Sequence, residues 1–369
     1  MNWIRVSLLS SLVLCQTASA IIAPRVLILS MFAEEAEAWY RIPEFNLLAR
    51  NISVPGLSPL FPQVHCTRDG TICQLTMGEG EINAASSIAA LIYSPLTFLE
   101  YTYFLVAGIA GVNPKVATIG SVTFARYAVQ VGLQFEIDAR EMPANFPTGY
   151  FPQGTTAPGQ FPATLYGTEV FELNDRLRQL AFAAAQTARL TDTAAAKQMR
   201  TEYTASRDFA AHNGATGPAV VLCDTATSDT FWSGAILGEM VENTTRVLTN
   251  QAAVYCTTQQ EDNATLNVLL RGARAKLVDF SRIIVMRSAS DFDRPPPGES
   301  AVAQLLGPAP GFEPAILNLH VAGVKVVQTI VDGWLATFEH GIEPTNYVGD
   351  IFGSLGGHPD FGPGSILKV

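Results

Sequence analysis

"RIIVMRSASDFDRPPPG", residues 282–298, decides how the chain is read. Ile283 to Met286 form an apolar run that reads as a buried strand. Two acids, Asp291 and Asp293, stand where that strand should run out. Pro295, Pro296 and Pro297 then break any regular element. Aspartate is common in turns, and the stretch alone favours turn chemistry. In an open α/β sheet, however, the carboxyl ends of the strands form the ligand crevice. The role of these acids therefore depends on what else ends at the same edge.

Three other apolar runs end in the same way. "PRVLILSMF" (24–32) leads to Glu34 and Glu35 in "EEAEAWYRI", which has helical character. "TICQLTM" (71–77) leads to Gly78, Glu79 and Gly80 and then to a helix, "EINAASSIAALIYS" (81–94). "YFLVAGIAG" (103–111) is a buried strand ending in the glycines of Gly108, Ile109, Ala110 and Gly111. Strand ends that share one sheet edge can line one crevice. The glycine turn before residue 81 lets backbone approach a ligand and points N–H groups at it.

Further along, "GSVTFARYAVQV" (120–131) and "PAVVLCDTAT" (218–227) read as strands. "EVFELNDRLRQLAFAAAQTARL" (169–190) has the period of an amphipathic helix, and "LNVLLRGARAKL" (266–277) continues another. A last helix runs from roughly Leu317 to Phe338, before a Gly/Pro-rich tail. Residues 139–163, rich in Pro, Gly and Phe, read as a loop-rich insertion whose composition suits a water-excluding lid. The alternation of strands and helices predicts one α/β domain with a mixed central sheet over residues 21–369.

Composition narrows the classes. With 369 residues, 48% hydrophobic and 15% charged, the chain has ample length for a core. A net charge of −10 and the lack of a basic cluster with interleaved aromatics argue against nucleic acid as a partner. The N-terminus combines Arg5, an apolar run from Val6 to Cys15, and Ala18-Ser19-Ala20, the layout of a secretory signal over residues 1–20. No later run reads as a membrane span, so a secreted protein is expected. Cys66, Cys73, Cys223 and Cys256 remain. "CTRDGTIC" places the first two across an Asp69-Gly70 hairpin turn, which would leave Cys223 for Cys256. Four cysteines still permit three connectivities. Without C-x-x-C spacing and with scattered histidines, no metal or other cofactor is expected. Asn51, Asn243 and Asn263 head N-x-S/T sequons, of which Asn263 falls in a stretch read as buried.

The ordered set "SMFAEEAEAW", "VAGIAGVNP", "QEDNA" and "SDFDRPPPG" resembles the fungal purine nucleoside permease family, within the purine nucleoside phosphorylase and methylthioadenosine/S-adenosylhomocysteine nucleosidase superfamily, whose nucleosidases have a G-x-G-x-x-A-A pattern that "MGEGEINAA" resembles. The resemblance implies a three-layer α/β/α fold with a central mixed sheet, a C-terminal extension and a homodimer or larger assembly. It implies a site for a purine nucleoside (adenosine, inosine or guanosine), with phosphate as an optional co-substrate. It assigns Asp291 as the acid that protonates the purine and Glu35, or its neighbour Glu34, as the acid that holds the attacking water. Glu261 would hold the ribose hydroxyls, with Gln260 where the relatives have Met. Phe231, with Trp232 beside it, would stack on the base. Gly108, Ile109, Ala110 and Gly111 would form a turn lining base and sugar, and Met77 stands where the relatives have a sugar-side Ser.

The chemistry is coherent without the family. A purine leaves as a neutral base when an acid protonates N7, while carboxylates orient water and steady positive charge on the sugar. Hydrolysis is expected ahead of phosphorolysis, because no basic motif is dedicated to phosphate. The alternative of another class is a nucleoside-binding protein that feeds a separate carrier. Cleavage of the leader should follow Ala20; N-terminal sequencing of exported protein should begin at Ile21, and a start at Met1 would refute it.

Overall fold

The computed structural model describes residues 21–206, 209 and 217–362; the expected leader lies outside them. The chain opens with β1 (Val26–Ser30) and a short α1 (Ala33–Glu37). β2 (Arg50–Ser53), β3 (Gln63–Cys66) and β4 (Ile72–Thr76) follow, then α2 (Glu81–Ile92). Next come β5 (Tyr103–Val112), β6 (Val122–Ala125), β7 (Tyr127–Gln130), β8 (Gln134–Glu136), β9 (Tyr150–Pro152) and β10 (Val170–Glu172). Two helices, α3 (Asp175–Ala185) and α4 (Ala194–Glu202), precede β11 (Val220–Leu222) and β12 (Asp224–Thr227). α5 (Ala235–Leu248), β13 (Tyr255–Gln259), α6 (Asp262–Arg274) and β14 (Ile283–Phe292) come next. α7 (Ala301–Leu306), α8 (Phe312–Asp332) and β15 (Gly349–Asp350) complete the order.

One mixed sheet organises these elements, and β5 is its axis. β5 runs parallel to β1 at its start, parallel to β14 along its length, and antiparallel to β13 at its end. β14 also pairs antiparallel with β6, and the chain passes from β6 through Arg126 into β7. β7 pairs with β12, and β12 with β13. The pairings therefore run from β5 around to β5 again, so this half of the sheet closes on itself. The other half, β1-β4-β3-β2, stays open.

Alternation along the strands builds the three layers. Leu27, Leu29, Phe104 and Val106 pack with residues of α2 and α6 on one face. Val26, Ile28, Tyr103, Leu105 and Ala107 pack with residues of α3 and α8 on the other. Successive strand side chains point to opposite faces, so runs apolar at every position are buried on both. The expected α/β/α arrangement with a mixed central sheet is present.

Several local expectations need correction. "EVFEL" is not the start of a helix: Val170–Glu172 pair with β7, and the helix begins only after Asn174, whose side chain caps it. "GSVTFARYAVQV" and "PAVVLCDTAT" are each two strands, not one. Gly108 to Gly111 lie inside β5 and form no turn. α8 is long and apolar enough to cross a membrane by length and composition, contrary to the reading of that segment. Here, however, Leu319, Ala322, Val326 and Ile330 pack it on the sheet.

Two disulfides join Cys66 to Cys73, across the β3–β4 hairpin, and Cys223 to Cys256. Asn51 is exposed and Asn243 half-buried. Asn263 is buried, accepting from Thr227 Oγ1 and donating to Thr168 O.

Leu105 is fully buried between β5 and the α8 layer. Leu105→Ala should cost roughly 2–5 kcal/mol of unfolding free energy, the range for large-to-small core changes. Ile82→Ala, at a side chain 80% exposed, should stay within about 0.5 kcal/mol. Urea denaturation of both variants checks the contrast.

Candidate active site

The strand ends converge on one cavity of about 660 Å³. Glu35 enters it from α1, Ile109, Ala110 and Gly111 from β5, Gln260 and Glu261 from the end of β13, and Asp291 from β14. Phe231 and Trp232 line it from the loop before α5. Further past the three prolines, Gln304, Leu305, Gly307, Pro308, Ala309 and Phe312 line it as well. The prolines themselves, Pro295 to Pro297, are not on its wall. Nor is the insertion at 139–163: Tyr150, Pro152, Gly159 and Gln160 border a separate small cavity against Met240, Thr244 and Leu248 of α5.

Asp291 owes its direction to an irregularity. In the β14–β5 register, Ala289 faces Ala110 and Asp291 faces Gly111, so Ser290 is an extra residue. Such a bulge re-aims the side chain that follows it. Ser290 Oγ donates to Asp291 Oδ1 at 2.7 Å. Burial pushes the Asp291 carboxyl up to about 6; the Ser290 bond opposes this and the Asp293 charge reinforces it. Asp291 is half-buried, on the cavity wall.

Asp293, two residues on, lies in the bend that follows β14, yet it is not a surface residue. It is buried, accepts from Tyr255 Oη at 2.9 Å and pairs with Arg294 at 2.7 Å. Arg294 in turn reaches Glu239 and Glu242 of α5, at 2.9 and 3.0 Å. The backbone O of Asp293 accepts from Gly234 N, the residue that caps α5. Ser233 Oγ donates to Gln304, which donates to Phe292 O. The aromatic loop, the end of β14 and the segment over the cavity are therefore tied together.

Of the two glutamates in α1, Glu35 is the buried one; Glu34 is exposed at the cavity wall. Glu35 Oε2 accepts from Met31 N and Oε1 from Ile109 N, both at 2.7 Å. Burial pushes Glu35 up to about 8, against the opposing pull of the Arg287 charge and the two N–H bonds. Gly108 makes room beneath it: a Cβ there would lie 2.6 Å from Arg287 Nη1 and 2.8 Å from Glu35 Oε1.

Glu261 is the N-cap residue of α6, buried, with Oε1 accepting from Gly80 N at 3.0 Å. Burial raises its pKa, and Arg287 works in the other direction. Arg287 is wholly committed to neighbouring protein groups. It pairs with Asp262 at 2.6 Å and Glu261 at 3.3 Å, and donates to Ile109 O at 3.0 Å. Burial works against its charge, but these acids and Glu35 hold it above its ordinary value. Arg126 pairs with Glu172 and does not line the cavity.

Of the other assigned residues, Phe231, Trp232 and Gln260 line the cavity, and Met77 and Gly108 do not. Phe231 is 62% exposed at the cavity rim, free to meet a ligand face. Trp232 is half-buried, and its Nε1 is enclosed without a partner among the described residues. Gln260 lines the cavity while its Nε2 donates to Asp229 O. Met77 is fully buried in the core beside Thr265 and does not line the cavity. Gly108 lies under the acids and takes no place on the wall. No cluster of His, Cys, Asp or Glu among the described residues could hold a metal ion.

The purine nucleoside permease (NUP) family matches residues 23–343. A purine nucleoside permease of Candida albicans is 46% identical over 94% of this chain and 85% of that protein. A probable purine nucleoside permease of Schizosaccharomyces pombe is 42% identical over 85% of this chain and 91% of its own length. Among solved structures, a 5′-methylthioadenosine/S-adenosylhomocysteine nucleosidase of Neisseria meningitidis is 16% identical, with a TM-score of 0.46 over 85% of this chain and 100% of its own. A futalosine hydrolase of Helicobacter pylori is 15% identical, with a TM-score of 0.45 over 84% and 97%. With the family matched along nearly its whole described length, this chain belongs to the purine nucleoside permease (NUP) family.

Proposed function

We propose that the cavity binds a purine nucleoside and cleaves its N-glycosidic bond with water. The observation that carries this is the convergence of three acids in different settings, Asp291, Glu35 and Glu261, on one cavity with an aromatic rim. Asp291, held near 6, gives its proton to purine N7. The bond from C1′ to N9 breaks with its electron pair going to the base. Water held by Glu35 forms the new bond to C1′ and passes its proton to Glu35. Glu261 accepts from the ribose hydroxyls and steadies the cationic sugar. Phe231 and Trp232 offer faces to the base. The two disulfides and the leader-like residues 1–20 support an exported protein.

A second reading rests on the relatives' name. The C. albicans and S. pombe proteins are called purine nucleoside permeases, and the same cavity would serve a nucleoside-binding protein that supports transport. Chromatography of free base after incubation with adenosine or inosine separates the two. Hydrolysis releases base without phosphate, phosphorolysis needs phosphate, and a binding protein releases none.

Asp291→Asn should lower base release by roughly two or more orders of magnitude while the melting temperature holds. Full activity in that variant would remove the assignment. The pH profile of kcat/KM should be a bell, because turnover needs the proton on Asp291 and none on Glu35. Below about pH 6 both acids are protonated and the base is lost; above about pH 8 both are ionised and the acid is lost. Between these limits the pair shares one proton, and the fraction carrying it on Asp291 reacts. A flat profile from pH 5 to 9 would contradict this.

A further inference from the structure

The turn between β4 and α2 has the makings of a phosphate site, because glycines precede a helix N-terminus beside the cavity. Gly78 and Gly80 have φ of +93° and +85°, a conformation that suits glycine. Yet two N–H groups there are already taken by the protein's own carboxylates. Gly80 N donates to Glu261 Oε1 at 3.0 Å, and Glu81 N donates to Asp229 Oδ1 at 2.7 Å. A Cβ at residue 80 would sit 3.2 Å from that Asp229 oxygen, so the bare glycine leaves the carboxylate its place. Asp229 lies between Ser228 and Thr230, both on the cavity wall, and its backbone O accepts from Gln260 Nε2 at 2.7 Å.

The rest of the wall agrees. Glu34, Glu35, Glu79, Glu261 and Asp291 line the cavity, and Arg287 is the one cation among its described lining residues. That guanidinium is spent on Asp262 and Glu261. An incoming phosphate would find those two N–H groups occupied, no uncommitted cation on the wall, and several like charges.

We propose that Asp229 is a specificity-determining residue that fills the anion position at the start of α2. It commits the site to uncharged nucleosides, against nucleotides, and to water, against phosphate. This deepens the nucleoside reading above and rests on it. The charge of Asp229 is exposed, so its effect on an anion is modest: roughly two- to fivefold in phosphate affinity.

The test is a thermal-shift titration with inorganic phosphate at constant ionic strength, on the wild type, Asp229→Ala and Asp229→Asn. The wild-type melting temperature should not respond. Asp229→Ala should be stabilised by phosphate, and Asp229→Asn, which keeps the accepting oxygen without the charge, should respond less. The asparagine variant also keeps the loop should the alanine variant fail to fold. A wild type stabilised by phosphate as much as the variants, or variants that gain nothing, would overturn the proposal. A parallel titration with adenosine and adenosine monophosphate should show the wild type stabilised by the nucleoside alone, with the gap narrowed in Asp229→Ala. Failure of adenosine to bind would remove the nucleoside reading, while the phosphate titration would still judge Asp229 by itself.

Discussion

Arg287 is buried at the floor of the cavity, and the acids around it depend on its charge. An unpaired buried guanidinium would be costly, and so would unpaired buried carboxylates. Together they fix one another. Arg287 on β14 grips Asp262 and Glu261 at the start of α6 and the carbonyl of Ile109 on β5. The N–H of the same Ile109 holds Glu35. One cation thereby sets the relative positions of three elements and two of the proposed functional acids. Gly108 follows from this, since the guanidinium and Glu35 together leave no volume for a side chain.

Asp291 and Asp293 show how environment assigns roles to two identical side chains. Both are pushed up by burial. Asp293 has Arg294 and Tyr255 as partners and is part of the framework. Asp291 has only the Ser290 hydroxyl and faces open space. A carboxyl with no cation and a cavity before it is the one suited to carry a movable proton. The extra residue at Ser290 makes the distinction by turning one acid toward the cavity.

The buried strands β1, β5 and β14 were legible because their apolar runs are long and bounded by polar or glycine positions. The acids were legible because their motifs occur in a recognisable order. What was hidden depended on distant partners. "EVFEL" has a sequence that a helix also accepts, and only pairing with Ala128 and Val129 makes it a strand. β13, "YCTTQ", is too polar to announce itself and went unread, yet it lies between β12 and β5. The N–H groups at Gly80 and Glu81 looked available because the residues that take them lie far along the chain. Met77 has the right position for a sugar contact but points into the core, where apolar burial holds it. The insertion at 139–163 has a lid's composition, but it is anchored by the β8–β9 hairpin to another part of the surface.

The pairing of β14 with β5 sets residue 283 beside residue 104. The site cannot be completed until the last third of the chain has been made, because Arg287 and Asp291 both arrive on β14. Contacts so distant in sequence must close a large loop before they gain anything, which makes such topologies slow to fold. Until β14 docks, the long edge of β5, apolar along most of its length, is exposed to other chains. A nascent chain of this protein therefore spends its synthesis with its central strand half unpaired. Its yield in a cell depends on what shields that edge in the interval.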